Sequence, residues 1–211
     1  MNIKLFTFNP FQENTYILYD ETGECMIVDP GCDTEAEQNV LRDFIETNRL
    51  TPTMLVNTHC HIDHVLGNRY IHDLYILELH AHKGEKPVLE ANVAVASMYG
   101  MPYTPSPPIT RFLEEGVDIH FGKTTLEVLF TPGHSPASIS MYHRASRQLI
   151  VGDVLFNGSI GRTDLPGGNY DTLIDSIRSK YYPLGDDIAV YPGHGPSTTL
   201  FEEKMRNPFL Q

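Results

Sequence analysis

Tryptophan is absent, cysteine occurs three times, and no stretch approaches the roughly 18 apolar residues that a membrane span needs. The last absence argues against a spanning helix, and the N-terminal MNIKLFTFNPF lacks the uninterrupted apolar segment of an export signal. Cys25, Cys32 and Cys60 are odd in number and unevenly spaced, which argues against a disulfide framework and for a reducing compartment. Positive charge is scarce as well. Fifteen Lys and Arg against 27 Asp and Glu leave a formal charge of −12 with no basic patch, which repels phosphate backbones. The expectation is a soluble, unexported, cytoplasmic protein with no nucleic-acid or membrane partner. What is present is ample core material: 41% hydrophobic residues in a chain of 211 fit one domain over 1–211.

Three β-rich runs open the chain, IKLFTF (3–8), TYILYD (15–20) and CMIVDP (25–30), the last two joined by a turn containing Gly23 and so read as a hairpin. Thr34 and Glu37 have the form of a capping box, and Val40, Leu41, Phe44 and Ile45 recur at helical spacing, which predicts a helix over 35–49. TMLVNT (53–58) predicts a buried strand that ends where a run of histidines begins. A strand is expected near 74–79, then a helix over 85–99 with Val88, Leu89, Val93 and Ala96 as its apolar stripe. Four prolines in GMPYTPSPPIT (100–110) predict a stiff loop. In the second half SISMYH (138–143) and QLIVGD (148–153) echo TYILYD and CMIVDP, so the chain reads as two similar halves. DTLIDSIRSKYY (171–182) reads as a helix, IAVYPG (188–193) as a strand, and Ser197 as the cap of a last helix over 198–206. Alternating strands and helices that include hairpins predict a layered α/β sandwich with mixed sheets.

THCHIDHVLG (58–67) places His59, Cys60, His61, Asp63 and His64 in one short loop. His59 and His61 are two apart, so an extended backbone puts them on one side, whereas a helix would turn them about 200° apart. Asp63 and His64 form a second pair. His134 in TPGHSP, Asp153 in IVGDVLF and His194 in YPGHGP lie where other strands are expected to end. Imidazole and carboxylate suit zinc, iron or manganese, and these seven residues divide into three histidines, two histidines with an aspartate, and one bridging carboxylate, enough for two ions. Cys60 faces the other way in an extended chain and reads as a buried free thiol. Arg162 and Asp164 are candidates for orienting ligands, with an ordinary loop ion pair as the alternative, and Ser135 reads as a loop hydrogen-bonder.

THCHIDH, TPGHSP, VGD and PGHG, in that order over about residues 3–200, resemble the metallo-β-lactamase-fold superfamily. LFNGSIGRTDLPGG (155–168) and EEKMRNPFL further resemble small bacterial proteins similar to hydroxyacylglutathione hydrolase, or glyoxalase II. The resemblance implies a four-layer αββα sandwich. It implies His59, His61 and His134 on one divalent ion, Asp63, His64 and His194 on a second, and Asp153 bridging, the ions most often being zinc. The implied activity is hydrolysis of an acyl thioester by a hydroxide held between the ions, with Asp63 and Asp153 at the reacting centre. Only 17 residues follow His194, too few for the helical domain with which full-length glyoxalase II enzymes bind glutathione. Selectivity is therefore expected from 100–110 and 155–168, and Lys204 and Arg206 are read as exposed helix charges. Three other functions compete. One is a persulfide dioxygenase with a single iron on His59, His134 and Asp153; another is a nuclease, disfavoured by acidity; the last is a non-catalytic metal-stabilised binding protein.

Overall fold

The computed structural model describes residues 1–211. Its first sheet runs in sequence order: β1 (Asn2–Phe8), β2 (Glu13–Tyr19), β3 (Glu24–Val28), β4 (Thr51–Val56), β5 (Leu79–Ala81) and β6 (Ile109–Phe112). Helices α1 (Glu35–Thr47), α2 (Asn68–Tyr75) and α3 (Lys86–Tyr99) lie between its strands in sequence. The second sheet has the order β14 (Thr198–Thr199), β13 (Ala189–Pro192), β10 (Gln148–Gly152), β9 (Ile139–His143), β8 (Thr124–Phe130) and β7 (Ile119–Phe121). A small hairpin of β11 (Leu155–Phe156) and β12 (Ser159–Ile160) precedes α4 (Tyr170–Ser176), and α5 (Leu200–Arg206) comes last.

Alternation along the central strands builds the layers, because successive side chains of a strand leave on opposite faces. In β3, Cys25 and Ile27 join the core beneath α1, while Met26 and Val28 join a different core between the sheets. In β10, Ile150 faces that same inter-sheet core, and Leu149 and Val151 face a third core with Leu173, Ile177 and Tyr181. Three apolar cores separate four layers, helix, sheet, sheet, helix, as the αββα expectation required.

The halves share a path. In each, a strand pairs antiparallel with its predecessor and then, after a helical crossover, parallel with its successor: β2, β3, α1, β4 in the first and β9, β10, α4, β13 in the second. The C-terminal ends of β4, β10 and β13 therefore come to one edge of the sandwich, where open α/β sheets commonly bind ligands. Cross-sheet hydrogen bonds lock that edge, Tyr16 Oη donating to the Pro192 carbonyl at 2.6 Å and Ile139 N to the Thr58 carbonyl at 2.9 Å.

Local expectations fare unevenly. The capping box at Thr34 forms and α1 ends at Thr47, but Val40 is exposed, since the stripe that meets the sheet is Leu41 and Ile45. The strand expected at 74–79 is instead the end of α2 followed by β5. Ile71, fully buried, and Tyr75 pack at helical spacing on the first core, and Ile76 closes the helix in a left-handed conformation. In α3 Val93 is exposed and Asn92 takes its inward place. The proline-rich loop ends at Ile109, where β6 begins along the sheet edge. Strands β7 and β8 were not assigned from sequence. The helix over 171–182 begins as α4, widens into a π-helical turn over Ile177–Tyr181 and tightens into a 3₁₀ turn over Tyr182–Leu184. The last helix is capped by Thr199 rather than Ser197, because Thr198 and Thr199 first form an edge strand against β13.

Candidate metal centre

All seven residues singled out by spacing come together at this edge. His59 and His61 lie in the loop after β4, and Asp63 and His64 in the 3₁₀ turn Ile62–His64 that follows. The other three arrive singly: His134 after β8, Asp153 directly after β10 and His194 two residues after the end of β13. Ring and carboxylate atoms of His59, His61 and His134 converge to within 4.8 Å of one another, as do those of Asp63, His64 and His194. Asp153 stands between the groups. Its Oδ1 is 3.4 Å from His64 Nε2, and its Oδ2 is 3.5 Å from both His134 Nε2 and His194 Nε2. Gly193 permits the approach, since a β-carbon there would collide with Asp153 and His64.

The surrounding hydrogen bonds decide which ring nitrogens face inward. His134 Nδ1 lies 2.8 Å from the Arg162 carbonyl, which can only accept, so in the neutral ring Nε2 carries the lone pair. It points at His61 Nδ1, 2.9 Å away. His194 Nδ1 is likewise held by the carbonyls of Phe11 and Gln12 at 3.1 and 3.2 Å, leaving Nε2 to face Asp63 Oδ2 at 3.1 Å. His59 Nε2, both nitrogens of His64 and Asp153 Oδ1 are buried with no hydrogen-bond partner. Buried polar atoms are rarely left so, and lone pairs aimed at one another repel unless a cation lies between them. The donor set therefore fits divalent metal ions.

Ionisation points the same way. Burial and neighbouring imidazoles push His59 well down and His61 down to about 4, keeping these rings unprotonated at neutral pH. Burial opposes charge on Asp63 and Asp153, but the adjacent imidazoles, His64 foremost, outweigh it and hold both carboxyls below the ordinary range. His64 goes the other way, since Asp153 and Asp63 outweigh its desolvation and raise it.

Two acids that spacing did not single out hold the loops in place. Asp29, 1% exposed, accepts from Thr58 N at 2.7 Å, Thr58 Oγ1 at 2.6 Å and Asn57 Nδ2 at 3.3 Å. It also lies close enough to His59 and His64 to form a third potential cluster. With its oxygens already committed to the loop, it acts as an anchor. Glu85, at the start of α3, ties the two halves: Oε2 accepts from Cys60 N at 2.9 Å, and Oε1 from Ser135 Oγ at 2.6 Å and Ala137 N at 2.9 Å. Ser135 is thus the loop hydrogen-bonder its motif implied. The signal for Asp29 was available, since CMIVDP mirrors QLIVGD; Glu85 sits in no motif.

Cys60 is buried and free, with its side chain in the core beneath the helices. Arg162 and Asp164 pair with each other at 2.7 and 2.8 Å on the surface, and it is the Arg162 carbonyl that orients His134. Lys204 pairs with Asp186 and Arg206 with Glu202. A cleft of about 720 Å³ opens onto the centre, bounded by α3 on one side and residues 156–167 on the other. The proline-rich loop lines a separate hollow of about 320 Å³ on α3, so its expected part in selectivity at the centre is not supported.

A family model described as the metallo-beta-lactamase superfamily matches residues 8–194. Hydroxyacylglutathione hydrolase GloC of Haemophilus influenzae is 37% identical over 212 residues, covering 100% of this chain and 98% of that protein. The probable metallo-hydrolase YqgX of Bacillus subtilis is also 37% identical, over 95% of this chain and 93% of its own. Among solved structures, BLEG-1 B3 metallo-beta-lactamase superposes with a TM-score of 0.91 at 36% identity, covering 100% of both chains. TTHA1623 in a di-iron-bound form superposes with a TM-score of 0.88 at 35% identity, covering 98% of this chain and 100% of that one.

Proposed function

This chain belongs to the metallo-β-lactamase superfamily, and from that premise we propose that it is a dinuclear metallohydrolase of small acyl thioesters of the hydroxyacylglutathione type. His59, His61 and His134 would hold one divalent ion and Asp63, His64 and His194 the other, with Asp153 placed to serve both. The observation that carries this reading is the pair of convergent donor sets joined by one carboxylate. The similarity to GloC supports the thioester, and the di-iron neighbour supports two ions, here zinc by preference, with iron or manganese as alternatives.

Two divalent ions so held supply Lewis acidity toward a substrate carbonyl and a water of lowered pKa. The chain's part is positioning. The Arg162, Phe11 and Gln12 carbonyls fix the rings of His134 and His194, and Asp29 and Glu85 fix the loops that carry His59, His61, His64 and His134. Asp63 Oδ2, beside His194 Nε2, is within reach of a proton at the centre. The walls of the cleft keep bulk water from the face of the substrate they cover.

A mononuclear dioxygenase needs His59, His134 and Asp153 alone; the second convergent set favours the hydrolase. Three buried, unpaired cysteines fit a cytoplasmic setting, and no helix is long and apolar enough to cross a membrane. The test is elemental analysis of protein purified without chelator, together with assays on metal-defined enzyme. Two ions per chain and turnover of hydroxyacyl thioesters are expected. A stoichiometry fixed at one despite added zinc, manganese or iron would sink the dinuclear arrangement, and oxygen uptake with glutathione persulfide but no thioester turnover would replace the activity.

A further inference from the structure

The cleft is chemically lopsided. Its floor is the polar centre, but the wall that α3 turns toward it carries Val88, Ala91 and Val95, three and four residues apart. The adjoining face of α3, one residue on and about 100° round the helix, is the one that the fold uses most: Leu89, Asn92 and Ala96 are buried, and Asn92 Nδ2 donates to the Cys60 carbonyl at 2.9 Å. The helix therefore has two contact faces, and the one in the cleft is only partly covered by the chain: Val88 and Val95 touch its cores and stay half-buried, and Ala91 is exposed. Ile160 and Leu165 form the facing wall. At the mouth Phe11 meets Tyr99 edge to face, with ring centroids 5.7 Å apart. The backbone carbonyl of Phe11 also holds His194, so this apolar lip and the candidate metal centre share one rigid loop.

Cationic recognition is almost missing from the same surface. Among the lining residues Arg162 alone is a permanent cation, and both of its hydrogen bonds go to Asp164. Glutathione brings two carboxylates, and each needs a paired donor to leave water without loss. The one permanent cation of this cleft is already paired with an acid, in a chain of formal charge −12. An aliphatic or aromatic group, by contrast, gains with every apolar carbon it hides.

We propose that the arm of the substrate beyond the reacting carbonyl is apolar, a branched aliphatic or aromatic group, seated against Val88, Ala91 and Val95 beneath the Phe11 and Tyr99 lip. Anionic recognition of the thiol carrier plays no part in selection. This rests on the thioester-hydrolase reading and narrows its substrate class. The apolar face of α3 selects substrates by length and shape, and the metal centre acts on whichever carbonyl that seating brings to it.

The experiment uses metal-loaded enzyme and acetyl, butyryl and hexanoyl thioesters, each on neutral N-acetylcysteamine and on glutathione. Expected is a rise in kcat/KM of about fourfold per methylene until the cleft is filled, with the two carriers within about tenfold of each other for any one acyl group. Ala91→Glu, at an exposed position where no core packing is lost, should lower the ratio of the hexanoyl to the acetyl kcat/KM by more than about tenfold. A series flat in chain length, or a preference for glutathione above about a hundredfold, would overturn the proposal. If no thioester is turned over, the hydrolase reading fails, and direct binding decides the seat. Titration calorimetry would compare hexyl with methyl 2-hydroxyethyl sulfide. Tighter binding of the hexyl compound, weakened by Ala91→Glu, would keep the apolar seat; equal affinities would remove it.

Discussion

After Val28 the chain turns at Asp29 and after Val151 it turns at Gly152, and both residues take positive φ, 48° and 52°. The strands before them, β3 and β10, hold matching places in their sheets. In the first half the turn residue keeps its acid, which accepts from Asn57 and Thr58 and also faces His64 Nδ1 at 3.3 Å. In the second half the turn residue has no side chain, because a β-carbon would collide with Thr58, and the acid stands one residue later. That shift leaves Asp153 Oδ1 without a hydrogen-bond partner among the imidazoles. One backbone device thus serves two ends: a satisfied carboxylate that anchors a loop, and an unsatisfied one able to face cations. The labour is divided accordingly, with four candidate ligands on the loop that Asp29 holds and three arriving one at a time from the other half.

Asp153→Ala tests the comparison most severely. If this carboxylate spans both sites, occupancy of both should fall and turnover should drop by more than about a hundredfold, read by elemental analysis and assay. Loss of a single ion would show that it does not span them. Asp29→Ala should act on the scaffold instead, orphaning three buried donors at a cost of about 3–5 kcal/mol. Gly152→Ala, at positive φ and against Thr58, should cost about 2–3 kcal/mol. Both are read as shifts of the urea midpoint at unchanged m-value. If Gly152→Ala were as harmless as a surface change, the account of why the acid is displaced by one residue would be wrong.

The far edge of the sandwich sharpens the contrast, since there an acid joins the sheets with no ligand nearby. Asp20 accepts from Thr22 N, Thr22 Oγ1, Lys123 N and Thr124 Oγ1 at 2.9, 2.5, 2.7 and 2.9 Å. Burial opposes its charge, but these donors outweigh that and hold the carboxyl at about 2. With the unfolded value near about 3.9, the stabilisation is fully present above that pH and is lost as pH falls through about 2. After solvent screening it is worth about 1 kcal/mol. Asp20→Asn should remove that part of the acid dependence and leave bound metal unaltered. The smallest effect is expected from Cys60→Ala. Its side chain is in the core, so metal content and turnover should hold, with about 1 kcal/mol of stability lost to the small cavity. A large fall in bound metal would make Cys60 a ligand.

Much of the centre was legible because its chemistry is local. HxHxDH and two Gly-His turns are short, and few uses other than metal binding call for such residues in such spacing. The hairpins were legible for the same reason, since a period of two and a turn signal lie within a dozen residues. Misreadings fell where a local pattern was ambiguous. Ile71 to Leu79 satisfies helix and strand in turn, and the chain divides it between α2 and β5. Val93 fits the helical stripe of α3, yet the packing partner is at the position of Asn92.

The sequence by itself determined the candidate ligands' types, their order along the chain and the alternation that sorts Cys25 and Ile27 from Met26 and Val28, because each depends on covalent spacing and backbone period alone. Only the tertiary structure decided that Asp153 stands between His64, His134 and His194, that Glu85 joins the Cys60 and Ser135 loops, and that Val88, Ala91 and Val95 of α3 look into the cleft. Those contacts join residues dozens of positions apart, and nothing in a local pattern fixes which distant loops meet. They exist because two sheets, each hiding one face against helices, must hide the other against each other, which brings their strand ends to a common edge.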